Sequence, residues 1–249
     1  MKLSTSIIAS LAFAAAGAAN ATLVTAYDNF DGTDSGWKQG WTLAGSKNPA
    51  TAPAKMLNSA LVFSGNSDNA AVRKLDTRQF SDVFVDFTLT YTGTLGNNDF
   101  LALWFGNSAG PNIGMKANCD GACTNDLFVR TSGTTGTYLP GSDLLSGVSY
   151  QVSGHLYKSK PGANHYYDSF EAWFKPSAAD LAPTMIKAKL ANSNVKSFDT
   201  LGFRTANIDN KLTISVDNLR VANVPEPGSL ALMGLALAGL AAARRRKRA

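Results

Sequence analysis

Few side chains in this 249-residue chain are candidates for acid–base catalysis, and Glu171 is one of them. Glycoside hydrolysis needs two carboxylates across the scissile bond, and their separation decides whether the product retains or inverts its configuration. Glu171 is the only Glu between residues 22 and 224, and its neighbours on the same strand face carry no acid. Asp86 and Asp168 could pair with it, but nothing in the sequence places them together. Glu171 is therefore expected to be a solvated carboxylate on a strand.

A second candidate for catalysis is the segment 106–110, which has the G-x-S-x-G spelling of a serine hydrolase, with His155 and His165 as possible bases. A nucleophile elbow must open into a helix that helps to form the oxyanion hole. Here Pro111 follows, and the chain leads into another extended, glycine-rich segment. We interpret 106–110 as a turn between two strands and His155 as a residue on the polar face of a strand.

The charge distribution argues against a nucleic-acid partner. The formal net charge is +5, but six of the 23 Lys and Arg residues lie at the two ends of the chain. Of the 18 acidic residues only Glu226 lies outside residues 22–224, so the middle carries 17 charges of each sign. A neutral domain lacks the field that gathers phosphates. Sixteen of those 17 acids are Asp, which favours strands joined by turns over long helices.

The first 21 residues have the pattern of a secretory signal peptide. Lys2 supplies the positive start, an apolar run covers residues 7–19, and Ala19-Asn20-Ala21 forms a small-x-small cleavage site. Cleavage is predicted between Ala21 and Thr22. The alternative, a first buried helix, is disfavoured because the chain turns polar and strand-like immediately afterwards. Export from the cytoplasm is therefore expected.

The C-terminal residues 224–249 combine three features in a fixed order. Pro225-Glu226-Pro227 comes first, an uncharged run of 15 residues covers 229–243, and five consecutive cations fill 244–248. As a helix the run would be about 22 Å long, which is short for a hydrocarbon core. The cations would hold its end on the cytoplasmic side. A transmembrane helix of this kind suits a temporary anchor, although an ordinary single-pass anchor has the same elements.

This tail resembles the PEP-CTERM sorting signal, which consists of Pro-Glu-Pro, a short hydrophobic helix and an Arg cluster. The resemblance covers about 25 residues and implies a Gram-negative bacterium that makes extracellular polysaccharide. It also implies that an exosortase, a membrane transpeptidase, recognises Pro225, Glu226 and Pro227 and removes the tail. The inner membrane would hold the chain only until that step.

The middle of the chain, residues 22–223, shows the two-residue alternation of β-strands. In residues 82–91 apolar and polar side chains alternate, whereas residues 100–105 are apolar on both faces, as in a central covered strand. Further strands are predicted at 61–63, 127–130, 148–157, 169–175, 200–204 and 212–221. The apolar phase slips by one residue near Asp217, which predicts a bulge. Residues 178–190 could hold a helical turn or two.

Short strands separated by Gly, Asn, Ser and Pro predict an all-β antiparallel β-sandwich. The order of signals resembles the concanavalin A-like jelly roll of legume-type lectins and laminin G-like domains. The matching segments are residues 28–32 with Gly36-Trp37, the strand 99–106, the hairpin 148–175 and the closing 216–221. Function on such a fold depends on its loops and its faces, so the fold alone does not decide it.

Aspartates at the two ends of the predicted domain could hold a structural Ca²⁺. In a jelly roll the first and last strands can lie close together, so Asp28, Asp31 and Asp217 could supply oxygen ligands with a backbone carbonyl. Similar sites occur in the carbohydrate-binding proteins that this architecture resembles. The alternative is that these aspartates cap and bend turns.

Sugar binding by such domains needs aromatic platforms, because the C–H faces of a pyranose stack on rings while its hydroxyls need fixed hydrogen-bond partners. The candidates expected to be exposed are Tyr138, beside Pro140, and His165, Tyr166 and Tyr167 at a hairpin tip. The alternative is that these rings cover the edge of the sandwich.

Cys119 and Cys123 are predicted to form a disulfide, because an exported protein meets an oxidising periplasm. The ring that they close is very small, so the bond would stiffen a loop more than it would stabilise the fold. Free thiols or a metal pair are the alternatives.

Together these features predict an exported surface protein that is not an enzyme. Its expected role is adhesive or structural, through extracellular polysaccharide in an envelope or a biofilm matrix. A secreted glycoside hydrolase or lyase on the same fold is the first alternative. A structural surface protein without saccharide affinity is the second.

Overall fold

The computed structural model describes most of the predicted sandwich. The described residues are 23–32, 34–45, 52–117, 125–132, 136–160, 162–176, 184–189, 193–209 and 211–223. Val24–Asn223 form one compact unit of the chain. The predicted signal peptide with Ala21 and Thr22, the disulfide pair Cys119 and Cys123, and the tail with Pro225, Glu226 and Pro227 lie outside the described residues, so these stay predictions.

The described residues form sixteen strands and contain no helix. The strands are β1 Leu23–Asp28, β2 Asp34–Ser35, β3 Thr42–Leu43, β4 Ala54–Leu57, β5 Ala60–Phe63, β6 Ser67–Gln79, β7 Val83–Gly93, β8 Phe100–Phe105, β9 Asn112–Lys116, β10 Leu127–Arg130, β11 Thr137–Tyr138, β12 Ser149–Tyr157, β13 Ser169–Pro176, β14 Thr184–Lys189, β15 Phe198–Ala206 and β16 Leu212–Asn223. Within this part of the chain no helix long and apolar enough to cross a bilayer was found.

Two antiparallel sheets build the sandwich. A nine-stranded sheet has the order β14-β13-β12-β7-β16-β1-β2, with β5 paired to β16 and β4 to β5. A seven-stranded sheet has the order β11-β10-β9-β8-β15-β6-β3. Apart from that of β1 with β16, each of these strand pairings is antiparallel. The expected all-β antiparallel sandwich is confirmed.

The core lies between the two sheets, because each sheet turns one apolar face inward. On β7 the buried side chains are those of alternate residues, namely Val83, Val85, Phe87, Leu89 and Tyr91. Strand β8 is buried on both faces, as its sequence predicts. Leu101, Leu103 and Phe105 join the main core, whereas Phe100 and Ala102 pack with Phe128 in a second cluster on the outer face of the seven-stranded sheet.

The predicted strands are present, and the bulge is confirmed by a register shift between Asp217 and Arg220 in the pairing of β16 with β7. Thr184–Lys189, the described part of the segment 178–190 that could hold a helical turn, is strand β14 and pairs with β13 along the edge of the nine-stranded sheet, so these six residues are not helical. Edge pairing with β13 therefore overrides the weak helical preference of this segment.

Candidate functional site

A buried arginine ties the opening turn to the seven-stranded sheet. Arg73 of β6 donates through Nη1 to Asp28 Oδ2 and through Nη2 to Asp34 Oδ2. Its Nε donates to the carbonyl oxygen of Gln39 at 2.8 Å. Asp28 also accepts a hydrogen bond from Trp41 Nε1 at 2.6 Å. Each of the three guanidinium nitrogens therefore has a hydrogen-bond partner, and two of these partners are carboxylates, which is the usual condition for a buried charge.

Aromatic rings enclose this ion pair. The guanidinium carbon of Arg73 lies 4.6 Å from the ring centroid of Trp37 and 5.8 Å from that of Trp41. Trp41 also lies 5.9 Å from Phe203, measured between ring centroids, so the group joins the main core. We call Asp28, Asp34, Trp37, Trp41 and Arg73 the opening-turn cluster. Its contacts stabilise the entry of the chain into the sandwich.

Of the predicted calcium ligands, Asp28 and Asp31 lie close enough to Asp217 for their charges to affect its pKa. Burial raises the pKa of Asp217, a hydrogen bond from the Asn218 amide lowers it, and the negative charges of Asp31 and Asp28 raise it further. Asp28 is already committed to Arg73. Within the described ranges no group of three or more His, Cys, Asp or Glu side chains is arranged to hold a metal ion. Calcium binding by Asp28, Asp31 and Asp217 stays a prediction.

The outer face of the nine-stranded sheet brings Glu171 together with His155, which sequence reasoning did not do. His155 Nδ1 lies 3.8 Å from Glu171 Oε2, and its Nε2 lies 3.2 Å from Asp82 Oδ2. Tyr157 donates a hydrogen bond to Glu171 Oε1 at 3.0 Å. The imidazole stacks on Phe84 at 4.2 Å between ring centroids. One imidazole therefore contacts both carboxylates, and His155 lies on the polar strand face as expected.

The segment 106–110 connects two strands, as its sequence predicts. Strand β8 ends at Phe105, and Pro111 leads directly into strand β9. The Gly110 amide donates to the carbonyl of Asn107 at 2.8 Å, which closes the turn. The supporting helix of a nucleophile elbow therefore has no place between β8 and β9.

Of the rings at the hairpin tip, Tyr166 is exposed and Tyr167 is not. Tyr166 is 42% exposed, and Lys196 Nζ lies 4.8 Å from its ring centroid. His165 is exposed as well. Tyr167 is fully buried and donates to the carbonyl of Ser81 at 2.7 Å, and burial raises the pKa of its hydroxyl. The expectation that Tyr167 is exposed for a ligand was therefore wrong, because its ring belongs to the core.

Tyr166 borders a pocket formed by three loops, which we call the loop pocket. Its volume is about 310 Å³, and its lining residues are Gly106, Asn107, Tyr166, Asn194, Val195, Lys196 and Ser197. The amide of Asn194 donates to Asn107 Oδ1 at 3.5 Å. An exposed ring beside amides and a hydroxyl is the combination that a neutral sugar needs.

A second depression lies on the outer face of the seven-stranded sheet, and we call it the cationic groove. Its volume is about 260 Å³, and its lining residues are Asn98, Phe100, Lys116, Arg130, Arg204, Ala206 and Asn207. Strand register places Lys116 opposite Phe100 and Arg204 opposite Ala102. Tyr138, a predicted ligand residue, accepts a hydrogen bond from Arg130 Nη2 at 3.3 Å. Three cations and no acid therefore line the groove among the described residues.

Three neighbouring strands on this face carry buried polar atoms without a hydrogen-bond partner among the described residues. They are Trp104 Nε1 on β8, Asn112 Oδ1 on β9 and Arg130 Nε on β10. Trp104 and Arg130 both pair with Asn112 across the sheet. The exposed fractions of the three residues are 3%, 4% and 5%. Unpaired buried polar atoms are rare in native proteins, because each costs about 1–3 kcal/mol.

Glycine makes room for the Trp104 indole on this face. A Cβ at Gly202 on β15 would lie 2.5 Å from Trp104 Cζ2 and 2.6 Å from the carbonyl oxygen of Ala71. Only a residue without a side chain fits between those atoms. The position of Trp104 next to the groove therefore depends on Gly202.

Sequence reasoning missed the cations of the groove. Lys116, Arg130 and Arg204 lie at outward positions of three strands, next to the outer cluster of Phe100 and Phe128. The available signal was the strand 100–105, whose second apolar face had to be covered by something. Which residues cover it depends on the strand order β10-β9-β8-β15, which the sequence alone does not reveal.

Comparisons with known proteins support both the predicted sorting signal and the predicted sandwich fold. A family model described as the PEP-CTERM protein-sorting motif matches residues 223–247. A comparison with curated proteins found no match. Among solved structures, a lectin from Bauhinia forficata in complex with GalNAc has a TM-score of 0.50 at 10% identity, covering 82% of this chain and 100% of the lectin.

Two other solved structures were also matched. A GH43 protein from Bacillus licheniformis has a TM-score of 0.50 at 8% identity, covering 79% of this chain and 39% of that protein. The seed lectin of Lotus tetragonolobus has a TM-score of 0.48 at 7% identity, covering 70% of this chain and 92% of the lectin. The chain therefore carries a sandwich with the concanavalin A-like fold of the legume lectins, followed in the sequence by a PEP-CTERM protein-sorting motif.

Proposed function

We propose that this chain is an exported surface protein that an exosortase-type membrane transpeptidase sorts in a Gram-negative bacterium. The single observation that carries the proposal is the sorting motif over residues 223–247. In it Pro225, Glu226 and Pro227 are the recognition residues, and the apolar run anchors the chain in the inner membrane until the tail is removed. The sandwich then remains at the cell surface or in the extracellular matrix.

The proposed role of the sandwich is to bind or organise extracellular polysaccharide. The loop pocket supports this role, because the exposed ring of Tyr166 lies beside the polar side chains of Asn107, Asn194 and Ser197. A pyranose can stack on the ring while those side chains bond its hydroxyls. The lectin-like fold is consistent with this use, although proteins of one fold often differ in function.

The protein is proposed to bind without cleaving. Glu171 is the only Glu between residues 22 and 224, and its carboxylate and that of Asp82 both contact the imidazole of His155. A secreted glycoside hydrolase or lyase is the alternative that this cluster keeps open. A structural surface protein without saccharide affinity is the other alternative.

The test is a binding screen of the purified full chain, kept in mild detergent, against extracellular polysaccharides. Tyr166→Ala is expected to weaken binding of a neutral polymer about tenfold, because it removes the stacking ring. Phe80→Ala, which removes an exposed ring elsewhere, serves as the matched control. A reducing-sugar assay and an absorbance assay for unsaturated products run in parallel, and product in either would overturn the non-enzymatic role.

A further inference from the structure

We infer that the cationic groove binds an acidic sugar unit, whose carboxylate or sulfate group is held by Arg130 and Lys116. This inference deepens the proposed function and rests on it, since it names the class of polysaccharide. It assigns a second site, on a sheet face, that is separate in its lining residues from the loop pocket.

The charge of the groove lining indicates an anionic ligand. Of the three cations that line the groove, Arg204 already pairs with Asp68, with Nε 2.6 Å from Oδ1. Arg130 and Lys116 have no ion pair with any described residue. The described lining therefore holds two uncompensated positive charges in a chain whose middle is neutral overall. An anion is the ligand that such a lining selects.

The surroundings of Arg130 also indicate an anionic ligand. Its guanidinium carbon lies 4.4 Å from the ring centroid of Phe128 and 5.4 Å from that of Phe100. Both rings pack against the guanidinium, and the Tyr138 hydroxyl accepts one of its hydrogen bonds. A buried arginine normally has a carboxylate partner, because an unpaired charge is costly to bury. An arginine that is held in place but unpaired is set up to bind an oxyanion from outside.

The shape and the neutral residues of the groove favour a sugar over other anions. Asn98 and Asn207 lie beside the cations, and their amides can bond hydroxyl groups. The volume, about 260 Å³, is below the range of about 300–1,000 Å³ that is usual for small-molecule pockets. A groove of this size suits a single sugar unit of a polysaccharide. Phe100, the only ring among the described lining residues, is 6% exposed and offers no platform for stacking a nucleobase.

The experiment measures binding of the full chain, in mild detergent, to four immobilised polymers by biolayer interferometry. The polymers are polygalacturonate, dextran sulfate, neutral dextran and single-stranded DNA. We expect the acidic polysaccharides to bind at least about tenfold tighter than dextran, and the ratio between polygalacturonate and dextran sulfate distinguishes carboxylate from sulfate. Arg130→Gln should weaken binding of the preferred acidic polymer about 10- to 100-fold and leave dextran binding unchanged.

Two further variants keep the result interpretable. Arg220→Gln removes the same charge from an exposed position on the nine-stranded sheet and should change binding less than about twofold. Lys116→Gln tests the groove without touching the buried arginine, in case Arg130→Gln does not fold. It should weaken binding of the acidic polymer roughly three- to tenfold.

The outcomes separate this inference from the proposed function. Equal binding of acidic and neutral polysaccharides, unchanged by Arg130→Gln and Lys116→Gln, would overturn the acidic ligand and leave saccharide binding in place. Equal losses in Arg220→Gln and in the groove variants would also overturn it, since net charge alone would then explain binding. DNA binding that exceeds polysaccharide binding and depends on Arg130 would assign the groove to another ligand class. Binding of no polysaccharide would overturn both the inference and the proposed polysaccharide-binding role of the sandwich, and would leave the proposed sorting in place.

Discussion

Arg73 and Arg130 are both buried, both lie over aromatic rings and both belong to the seven-stranded sheet, yet they differ in their partners. Arg73 has two carboxylates and a backbone carbonyl. Arg130 has a tyrosine hydroxyl, and its Nε is unpaired among the described residues. Arg73 is engaged within the fold, whereas Arg130 keeps hydrogen-bonding capacity for a ligand.

The two regions also differ in the sign of their surplus charge. Asp28, Asp31 and Asp217 crowd the opening turn strongly enough to affect the pKa of Asp217. The described lining of the groove carries cations only. The same residue type therefore stabilises one region and binds ligand in the other, according to whether acids lie nearby.

The largest effect is expected from Arg73→Met in the opening-turn cluster. This change leaves the buried carboxylate of Asp28 without its charge partner, which should lower the free energy of unfolding by about 3–5 kcal/mol. Urea unfolding followed by tryptophan fluorescence measures it. Arg78→Met, on the same strand at a side chain that is 55% exposed, should cost less than about 0.5 kcal/mol. Similar losses in the two variants would contradict a special role for Arg73.

A smaller loss is expected from Gly202→Ala beside the groove. The new methyl group would lie 2.5 Å from Trp104 Cζ2 and 2.6 Å from the Ala71 carbonyl oxygen, so the indole must move. Overpacking of this kind costs about 1–3 kcal/mol. Gly40→Ala, where a Cβ meets no atom within 4 Å, is the control and should not destabilise the protein. Thermal unfolding of both variants decides whether this face tolerates added volume.

Arg130→Met should have the opposite sign from Arg73→Met. It removes a buried cation that has no ion-pair partner in the described part of the chain and keeps an unbranched stem, so the free energy of unfolding should stay unchanged or rise by up to about 1 kcal/mol. Urea unfolding under the conditions used for Arg73→Met measures it. A loss above about 2 kcal/mol would mean that Arg130 is structural, and the contrast between the two arginines would fail.

The fold was predictable wherever a strand alternates in its own sequence. Strand β7 alternates over its full length, and the phase slip near Asp217 predicted the bulge of β16. Strand β6, Ser67–Gln79, was missed although it is the longest described strand. Its inward position 73 is an arginine, and that residue can face inward only because Asp28, 45 positions away, neutralises it. A local pattern does not contain that information.

The exposed ring of the loop pocket was predictable from the sequence, whereas beside the cationic groove only Tyr138, which bonds Arg130, was named in advance. Tyr166 was found because it follows a Pro-Gly turn, which indicates a hairpin tip. Arg130 ends the short apolar strand β10, and its sequence neighbours do not show that no described carboxylate pairs with it. Whether a carboxylate faces Arg130 depends on the side chains that the strands β10-β9-β8-β15 bring together. It can therefore be recognised only once the sheet is assembled.

The smallest predicted effect is a pH-dependent one, in the variant Asp217→Asn. Burial, with the charges of Asp31 and Asp28, holds the pKa of Asp217 above its ordinary value despite the hydrogen bond from the Asn218 amide. The folded state therefore binds this proton more tightly than the unfolded chain, and ionisation costs stability as the pH rises through that window. Asp217→Asn should stabilise the protein by less than about 1 kcal/mol at pH 7, and the gain should vanish below about pH 3.5.

Asp199→Asn provides a control of opposite sign. Burial raises the pKa of Asp199, but hydrogen bonds from Thr200 and Arg78 outweigh it and hold the pKa below the ordinary value. Its ionised form therefore stabilises the fold above the unfolded pKa, and this contribution is lost as the pH falls through the folded pKa. Asp199→Asn should accordingly destabilise the protein at pH 7. If Asp217→Asn also destabilised it there, the carboxylate would have a favourable partner, and a calcium-dependent rise in the wild-type unfolding midpoint would identify that partner as the ion.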